Sequence, residues 1–311
     1  MTTTGLKTSK ILAAILVAAA LLFFWLTRPD SLGSDDLPQH QADAAAGERI
    51  FWAGGCASCH ATPVDGDRAR GNDKLILGGG EELDTPFGLF RAPNISPHPD
   101  DGIGSWSMLD FVNAMQRGVS PDGSHYYPSF PYTSYARMTT TDVMDLKAYL
   151  DTLTPVAGVV ADHELGFPYS IRRGLGLWKR RYLSGDAVLE LPDASTEVLL
   201  GQSLVEGAGH CGECHTPRDS FGGLDPDRWL AGAPNLEGEG RVSDITPNGK
   251  NVGDWSVSDI AYYLESGFTP DFDTAGGTMV AVQENMAKLS GEDRAAIAAY
   301  LKAVPPSVSN E

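Results

Sequence analysis

The sequence contains few cysteines and few basic residues for its length. Only four cysteines occur in 311 residues, and all four belong to two copies of one short motif, which leaves none for a structural disulfide. Lysine and arginine together number 23 against 41 aspartates and glutamates, so the formal net charge is -18. Because nucleic-acid binding requires clustered positive charge, this composition argues against nucleic acid as a partner.

Long apolar runs are also scarce, and the one clear run covers residues 11–26. It is preceded by Lys7 and Lys10 and followed by Arg28, which is the pattern of an export signal. Residues 26–30 offer a poor cleavage site, so we predict an uncleaved single-pass transmembrane anchor in preference to a removed signal peptide. Lysines on the entry side predict a cytoplasmic N-terminus. In a bacterium, the chain after Arg28 would then lie in the periplasm, attached to the inner membrane.

The rest of the sequence reads as a tandem repeat. Residues 94–97 of the first half correspond to residues 244–247 of the second, and the segments at Trp106 and Trp255 align without a gap into the following loop. Each half closes with a similar predicted helix that ends in Ala-Tyr-Leu. The pattern predicts five segments, which are an anchor (1–28), a tether (29–41), a first domain (42–154), a linker (155–192) and a second domain (193–306).

The predicted linker carries a basic and aromatic segment, residues 171–181, in an otherwise acidic chain. Two interpretations fit this segment. It is a connector whose apolar residues pack on both domains, or it contacts membrane headgroups or a partner subunit.

The two cysteine motifs have the form Cys-x-x-Cys-His and occupy residues 56–60 and 211–215. This spacing is the attachment signature of c-type haem, because on a helical turn both thiols face one porphyrin edge while the adjacent histidine reaches the iron. A zinc site would need the two motifs to meet, and a thioredoxin-like redox pair would need a βαβ context. We therefore predict two covalently bound haem c groups. The predicted attachment residues and iron ligands are Cys56, Cys59 and His60 in the first half and Cys211, Cys214 and His215 in the second.

A six-coordinate haem needs one more iron ligand, usually methionine. In the second half we predict Met279, in a loop before the last helix, and we prefer it to Met286, which suits a core position. The matching position of the first half is Phe130, which cannot bind iron. Haem 1, in the first half, is then left with an open or water-bound iron or with one of three candidate ligands, Met138, His125 and Met115.

Five further segments of the first half carry a specific pattern, at residues 77–79, 84–88, 92–95, 102–106 and 117–123. With these segments the chain closely resembles the cytochrome c subunits of membrane-bound alcohol, gluconate and fructose dehydrogenases. The resemblance implies an all-α fold with two tandem cytochrome c-like domains, here placed after an N-terminal transmembrane helix. It also implies electron transfer from a dehydrogenase donor to quinone or to a downstream cytochrome or oxidase.

The sequence departs from that family in two ways. The family typically has three haem domains and a C-terminal membrane segment, whereas this sequence has two motifs and an N-terminal apolar run. The family's Tyr-Pro-Ala-Met-Pro-Tyr loop corresponds here to residues 127–132, where Phe130 replaces methionine. Both departures argue against direct quinone reduction.

The sequence thus predicts an electron-transfer protein in preference to an enzyme. The rival hypothesis is a dihaem enzyme whose open haem 1 acts on peroxide, a sulfur compound or a small gas, with His125 or Arg91 directed at the iron. A third hypothesis is a structural or sensor protein that uses haem passively.

Overall fold

The structure is a computed structural model that describes residues 3–236 and 240–306 of the chain. Residues 1–2 of the predicted anchor and 237–239 of the predicted second domain lie outside the described residues. Helices dominate the regular structure, as predicted. The α-helices are α1 (Thr3–Leu26), α2 (Ala44–Ala53), α3 (Cys56–His60), α4 (Met108–Val112), α5 (Tyr132–Tyr135), α6 (Thr140–Leu150), α7 (Leu175–Tyr182), α8 (Thr196–Gln202), α9 (Gly212–His215), α10 (Val257–Ser266), α11 (Met279–Met286) and α12 (Gly291–Ala303). Shorter helical segments are the 3-10 turns Ser34–Asp36, Gly71–Leu75, Arg172–Gly174 and Pro226–Arg228 and the π-helices Asn113–Arg117 and Ser203–Ala208.

The described residues are mostly helical, in agreement with the predicted all-α class, and they also include a few short antiparallel strands. They lie in segments rich in glycine and proline, where a helix does not continue, and strand pairing satisfies their backbone groups. One sheet has the order β1–β2–β3 and the other pairs β4 with β5. The strands are β1 (Glu82–Thr85), β2 (Gly88–Arg91), β3 (Glu164–Leu165), β4 (Ala233–Pro234) and β5 (Arg241–Val242).

Each half of the chain contains one close crossing of two helices, α2 with α6 and α8 with α12. A glycine lies at the closest approach in both. A Cβ atom on Gly47 would lie 1.9 Å from the backbone oxygen of Asp145, and one on Gly201 would lie 1.9 Å from that of Ala296. Because no side chain fits at that distance, glycine is required for the two backbones to touch.

The helices that follow the two aligned tryptophans begin in the same way. Ser107 and Ser256 each accept a hydrogen bond from the backbone N–H of the aspartate three residues later, and Asp110 and Asp259 bond back to the capping serines. This reciprocal arrangement satisfies backbone N–H groups that a helix start leaves without partners. The sequence repeat therefore extends to the way in which helices α4 and α10 start.

The two halves differ by one residue ahead of the cysteine motifs. Gly47 precedes Cys56 by nine residues, whereas Gly201 precedes Cys211 by ten. Helix α8 continues into a π-helical segment, Ser203–Ala208, that is kinked at Gly207 (φ -96°, ψ -106°), and this irregular segment accommodates the extra residue. The second motif can therefore follow its helix crossing in the same way as the first.

The segment predicted as a tether is packed against the first half of the chain. The backbone N–H of Leu32 donates to Asn113 Oδ1 at 2.7 Å, and Asn113 Nδ2 donates to the backbone oxygen of Leu32 at 3.2 Å. Further along, His40 Nε2 lies 2.6 Å from Asp145 Oδ1. These contacts hold residues 29–41 in place, so the segment is not a free spacer.

Helix α1 is long and apolar enough to cross a membrane, judged by length and composition. The apolar window is Ser9–Leu26, and none of it is buried inside the structure. An N-terminal signal sequence has the same properties.

Helix α7 of the predicted linker contacts both halves. Lys179 Nζ donates to the backbone oxygen of Arg117 at 2.7 Å, in the first half. Tyr182 donates through its hydroxyl to Asp219 Oδ2 at 2.6 Å, in the second half. Helix α7 therefore contacts both halves, which agrees with the interpretation of residues 171–181 as a connector.

Candidate functional site

Both cysteine motifs form a single helical turn that follows the crossing helix of their half. The first turn, α3, begins after Gly55, whose φ of 58° lies in the left-handed region. In the second half Cys211 caps α9. Because residues three apart share one helix face, the two thiols of each motif point to the same side. The four thiols form no disulfide in the described chain.

The thiols do not have the properties of metal or redox thiolates. Burial raises the pKa of Cys56 and of Cys211 to about 12, whereas reactive cysteines have a lowered pKa. Within residues 3–236 and 240–306, no group of three or more His, Cys, Asp or Glu side chains is arranged to hold a metal ion. A zinc site and a thioredoxin-like pair are therefore unsupported.

The histidines of the two motifs are oriented by equivalent hydrogen bonds. His60 Nδ1 lies 2.8 Å from the backbone oxygen of Pro93, and His215 Nδ1 lies 2.7 Å from that of Ser243. A carbonyl oxygen only accepts, so Nδ1 carries the proton and Nε2 keeps its lone pair. Burial lowers the pKa of both imidazoles, which favours the neutral, ligating form.

The backbone oxygen of each of these histidines accepts a hydrogen bond from a glycine in a nearby loop. The N–H of Gly79 donates to the backbone oxygen of His60 at 2.9 Å, and the N–H of Gly232 donates to that of His215 at 2.7 Å. Both glycines have left-handed φ values, 72° and 77°. A Cβ on Gly79 would lie 2.5 Å from the backbone oxygen of Ala92, so a larger residue would push the loop away from the motif.

This donor set fits haem c. Each half presents two thiols on one helix face, followed by an imidazole whose Nε2 is unprotonated and whose ring is fixed by a backbone oxygen. Histidine nitrogen is a usual proximal ligand of haem iron, and the hydrogen bond to Nδ1 is the usual support of a ligating imidazole.

Met279 lies at a different point of the backbone from that predicted. It is the first residue of helix α11, after Gly277 with a φ of 58°, and not part of an extended loop. Its side chain is half-buried and packs against the core. Met286, at the other end of the same helix, is 4 % exposed, which suits the core position predicted for it.

The corresponding region of the first half is aromatic. The Phe130 ring centroid lies 5.6 Å from those of Tyr126 and Tyr135 and 6.4 Å from that of Tyr132. These edge-to-face contacts fill the place where the second half has a thioether.

The other candidate ligands of haem 1 make contacts of their own. His125 Nε2 lies 2.9 Å from the backbone oxygen of Thr27, at the end of helix α1. Met138 is buried, and its Cγ lies 3.2 Å from the position of a Cβ on Gly207 in the second half. Met115 is buried in the core. Spectroscopy has to decide among these residues and an open iron.

Arg91, named as a possible polar group above an open haem 1, belongs to the sheet. Its Nε lies 2.8 Å from Glu82 Oε1 and its Nη2 lies 2.7 Å from Glu164 Oε1. The guanidinium therefore joins β1, β2 and β3 by ion pairs and is not a free polar group.

At the interface between the halves each motif contacts the opposite half, in a reciprocal way that sequence reasoning missed. Asn285 Nδ2 donates to Ser58 Oγ of the first motif at 2.7 Å. Ser134 donates to Glu213 Oε1 of the second motif at 3.1 Å. Ser58 and Glu213 hold the same place in their motifs, and Ser134 aligns with Asn285, so each contact is the counterpart of the other.

The residues just before the two motifs also lie at this interface. Cys56 Sγ and the backbone oxygen of Ala208 each lie 3.5 Å from the position of a Cβ on Gly54. The ring centroids of Tyr135 and His210, which precedes the second motif directly, are 5.8 Å apart. The repeat alignment contains no signal that these positions contact each other.

Comparison with known proteins agrees with this geometry. Residues 44–154 match the cytochrome c family. A diheme cytochrome c-type protein of Cereibacter sphaeroides is 53% identical over 294 residues, which cover 94% of this chain and 96% of that protein.

Subunits of dehydrogenases are also similar to the chain. One subunit of the nicotinate dehydrogenase of Pseudomonas putida is 36% identical over 83% of this chain and 21% of its own length. The fructose dehydrogenase cytochrome subunit of Gluconobacter japonicus is 34% identical over 86% of this chain and 53% of its own length. Cytochrome c subunits of alcohol and gluconate dehydrogenases match over a similar span, so the predicted resemblance is confirmed. The chain belongs to the cytochrome c family, in the group that contains a dihaem cytochrome and the cytochrome subunits of these dehydrogenases.

Proposed function

We propose that the chain is a membrane-anchored dihaem c-type cytochrome that transfers electrons from a periplasmic dehydrogenase to a downstream respiratory carrier. The observation that carries the proposal is the duplicated donor set, in which two motifs with matching histidine bonds each contact the opposite half. Relatives named as cytochrome subunits of dehydrogenases support the choice of donor.

Two sets of residues would hold the cofactors. Haem c, attached through the two thiols of each motif, supplies one-electron iron chemistry when bound. The attachment residues are Cys56 and Cys59 for haem 1 and Cys211 and Cys214 for haem 2. His60 and His215 would supply a nitrogen ligand to each iron, and Met279 would supply a thioether ligand in the second half.

The protein's own residues would supply the iron ligands and determine their orientation and surroundings. The bonds from His60 to Pro93 and from His215 to Ser243 prevent rotation of each imidazole and increase the basicity of Nε2. The thioether of Met279 favours the reduced iron and raises the potential. Phe130 offers no ligand, so the two halves would differ in potential, with the second half as the high-potential exit.

The interface sets the distance between the two sites. The bonds of Ser58 with Asn285 and of Glu213 with Ser134 fasten each motif to the opposite half. An electron entering at one half would therefore reach the other without a domain movement.

Helix α1 would determine the location of this electron carrier in the cell. Its apolar window supports a single membrane crossing. Lys7 and Lys10, in the N-terminal part of helix α1, favour a cytoplasmic N-terminus, which would put both halves in the periplasm.

One observation favours a dihaem enzyme as second candidate, namely the replacement of a methionine by Phe130. Two contacts weigh against it. Arg91 is engaged with the sheet carboxylates, and His125 Nε2 is engaged with the backbone oxygen of Thr27, which leaves only its buried Nδ1 without a hydrogen-bond partner among the described residues.

The first test is an EPR and optical spectrum of the oxidised full chain, with haem content per chain. Two haems, of which haem 2 is low-spin and loses that state in Met279→Leu but not in Met286→Leu, would support the ligand assignment. Reduction of both haems on addition of a dehydrogenase substrate to native membranes would support electron transfer. A high-spin haem 1 that turns over peroxide, with no reduction in membranes, would favour the enzyme.

A further inference from the structure

Basic side chains surround the C-terminal end of helix α1. Arg173 Nη2 donates to the backbone oxygen of Phe24 at 3.0 Å, and Arg180 Nε donates to that of Leu26 at 2.6 Å. The last carbonyls of a helix have no partner within the helix, and positive charge is favourable there. Arg180 of helix α7 and Arg173 of the 3-10 turn before it therefore bind the free backbone oxygens at the end of α1.

The contact between α1 and α7 leaves no spacer between the apolar helix and the body. Thr27 is fully buried, and a Cβ on Gly176 would lie 2.6 Å from Thr27 Cα. Arg180 lies 5.9 Å from the ring centroid of Trp25, and tryptophan is typical of the membrane–water boundary. The body is thus seated at the level where α1 leaves its apolar window.

Five arginines around this junction form what we call the arginine collar. They are Arg28, Arg172, Arg173, Arg180 and Arg181. In a chain of net charge -18, this concentration of positive charge is a local exception.

The charge of the arginine collar is largely unpaired inside the protein. In the part of the chain that the structure describes, Arg28, Arg173 and Arg180 form no ion pair with a carboxylate, and Arg181 reaches Asp219 only at 3.6 Å. Arg173 Nε is buried and has no hydrogen-bond partner among the described residues. Arg28, Arg180 and Arg181 are exposed, so their guanidinium groups are open to an external anion.

Apolar side chains border the collar on the same segment. Tyr169, Ile171 and Leu177 are 47%, 50% and 44% exposed. Mixed basic and apolar side chains are the pattern of a surface that lies on lipid headgroups.

We propose that the arginine collar binds the phosphates of anionic lipids in the leaflet around the exit of α1, which holds the body of the protein against the membrane. The inference rests on the proposed anchoring by α1 and adds the lipid class to it. Guanidinium groups match phosphate oxygens in pairs, and the position of the collar at the end of the apolar window brings it to headgroup level.

The test uses the full chain in phosphatidylcholine vesicles with a trace of spin-labelled lipid. The fraction of motionally restricted label gives the preference for phosphatidylglycerol over phosphatidylcholine. We expect a clear preference that decreases with salt. In the double variant Arg173→Gln/Arg180→Gln the preference for phosphatidylglycerol should fall by up to about five-fold for each charge removed.

Two further variants control this test. Arg28→Gln/Arg181→Gln removes two exposed charges that bind no helix end, so the fold should be unaffected. The preference for phosphatidylglycerol should still fall in this variant. Arg241→Gln/Lys250→Gln removes two exposed charges in the second half and should leave it unchanged. Equal preference in all variants, or none in the wild type, would overturn the proposal while α1 still anchors the chain.

A separate outcome concerns the anchor itself. If α1 is removed by cleavage, the proposed anchoring fails, and the collar is then tested by sedimentation of the soluble protein with phosphatidylglycerol vesicles. Binding that Arg28→Gln/Arg181→Gln abolishes would support the collar, and absence of binding would refute it.

Discussion

Replacing Arg49 by methionine should weaken the contact between the two halves of the chain. Arg49 lies on α2, and its Nε is 3.0 and 3.1 Å from the two carboxylate oxygens of Asp293, while its Nη2 is 2.7 Å from Oδ1. Asp293 lies in the first turn of α12 and also accepts from Ser290 Oγ at 2.9 Å. The ion pair therefore joins a helix of the first half to a capped helix start of the second.

The structure sets the expected magnitude. The side chain of Asp293 is 7% exposed and that of Arg49 is 34% exposed. A hydrogen bond to a charged group contributes about 1.5–3 kcal/mol, whereas an exposed ion pair contributes about 0–1 kcal/mol. Because one partner is partly solvated, we expect the coupling energy between Arg49→Met and Asp293→Asn to be about 1.5–2 kcal/mol in a double-mutant cycle.

The assay is urea unfolding of the full chain in detergent, followed by circular dichroism at neutral pH. The control is the pair Arg228 and Asp225, which has a similar Nε–Oδ2 distance of 2.8 Å but exposures of 45% and 27%. Its coupling energy should stay below about 0.5 kcal/mol. A value for Arg49 and Asp293 no larger than this control would refute the reasoning.

The same pair predicts a pH dependence. Burial raises the pKa of Asp293, but hydrogen bonds from Arg49 and Ser290 outweigh it and hold the pKa below its ordinary value. The contribution to stability is therefore complete above the ordinary pKa of aspartate and is lost as pH falls through the folded-state pKa. The difference in free energy of unfolding between wild type and Arg49→Met should shrink below about pH 4.

Three other substitutions test the site and the fold. Met279→Leu should lower the midpoint potential of one haem and leave the other unchanged in a redox titration, since a thioether ligand raises the potential. Cys211→Ala/Cys214→Ala should leave one covalent haem per chain, measured by mass spectrometry; a chain that keeps two would contradict the attachment assignment. Gly47→Ala places a Cβ 1.9 Å from a backbone oxygen and should lower the free energy of unfolding by about 1–3 kcal/mol, measured by thermal unfolding. Gly291→Ala, with open space around it, should leave the free energy of unfolding unchanged.

Much of the helical framework could be predicted because its signals are local. The sequence repeat predicted a closing helix in each half, and α6 and α12 lie there. The motif spacing alone placed both thiols on one face. Met279 was assigned to a loop because Gly276 and Gly277 precede it, yet helix α11 starts directly after them, since the second glycine supplies the left-handed turn that precedes it.

The remaining features depend on contacts between distant residues and on backbone atoms. The oxygens of Pro93 and Ser243 that orient the histidines have no sequence signature, because every residue has such an oxygen. The bond between Asn285 and Ser58 spans 227 residues. The short strands escaped prediction because their pairing with other segments, and not their composition, makes them strands.

The reciprocal contacts between each motif and the opposite half have a consequence for how this chain could have arisen. When the same pair of positions makes contact twice, with the two halves exchanged, the interface is of the kind that two copies of one subunit form around a twofold axis. A single-motif ancestor that paired in this way would have associated only when concentrated. Joining the copies through a linker makes the association intramolecular, with an effective concentration on the order of millimolar. The two redox sites then stay adjacent however dilute the protein is.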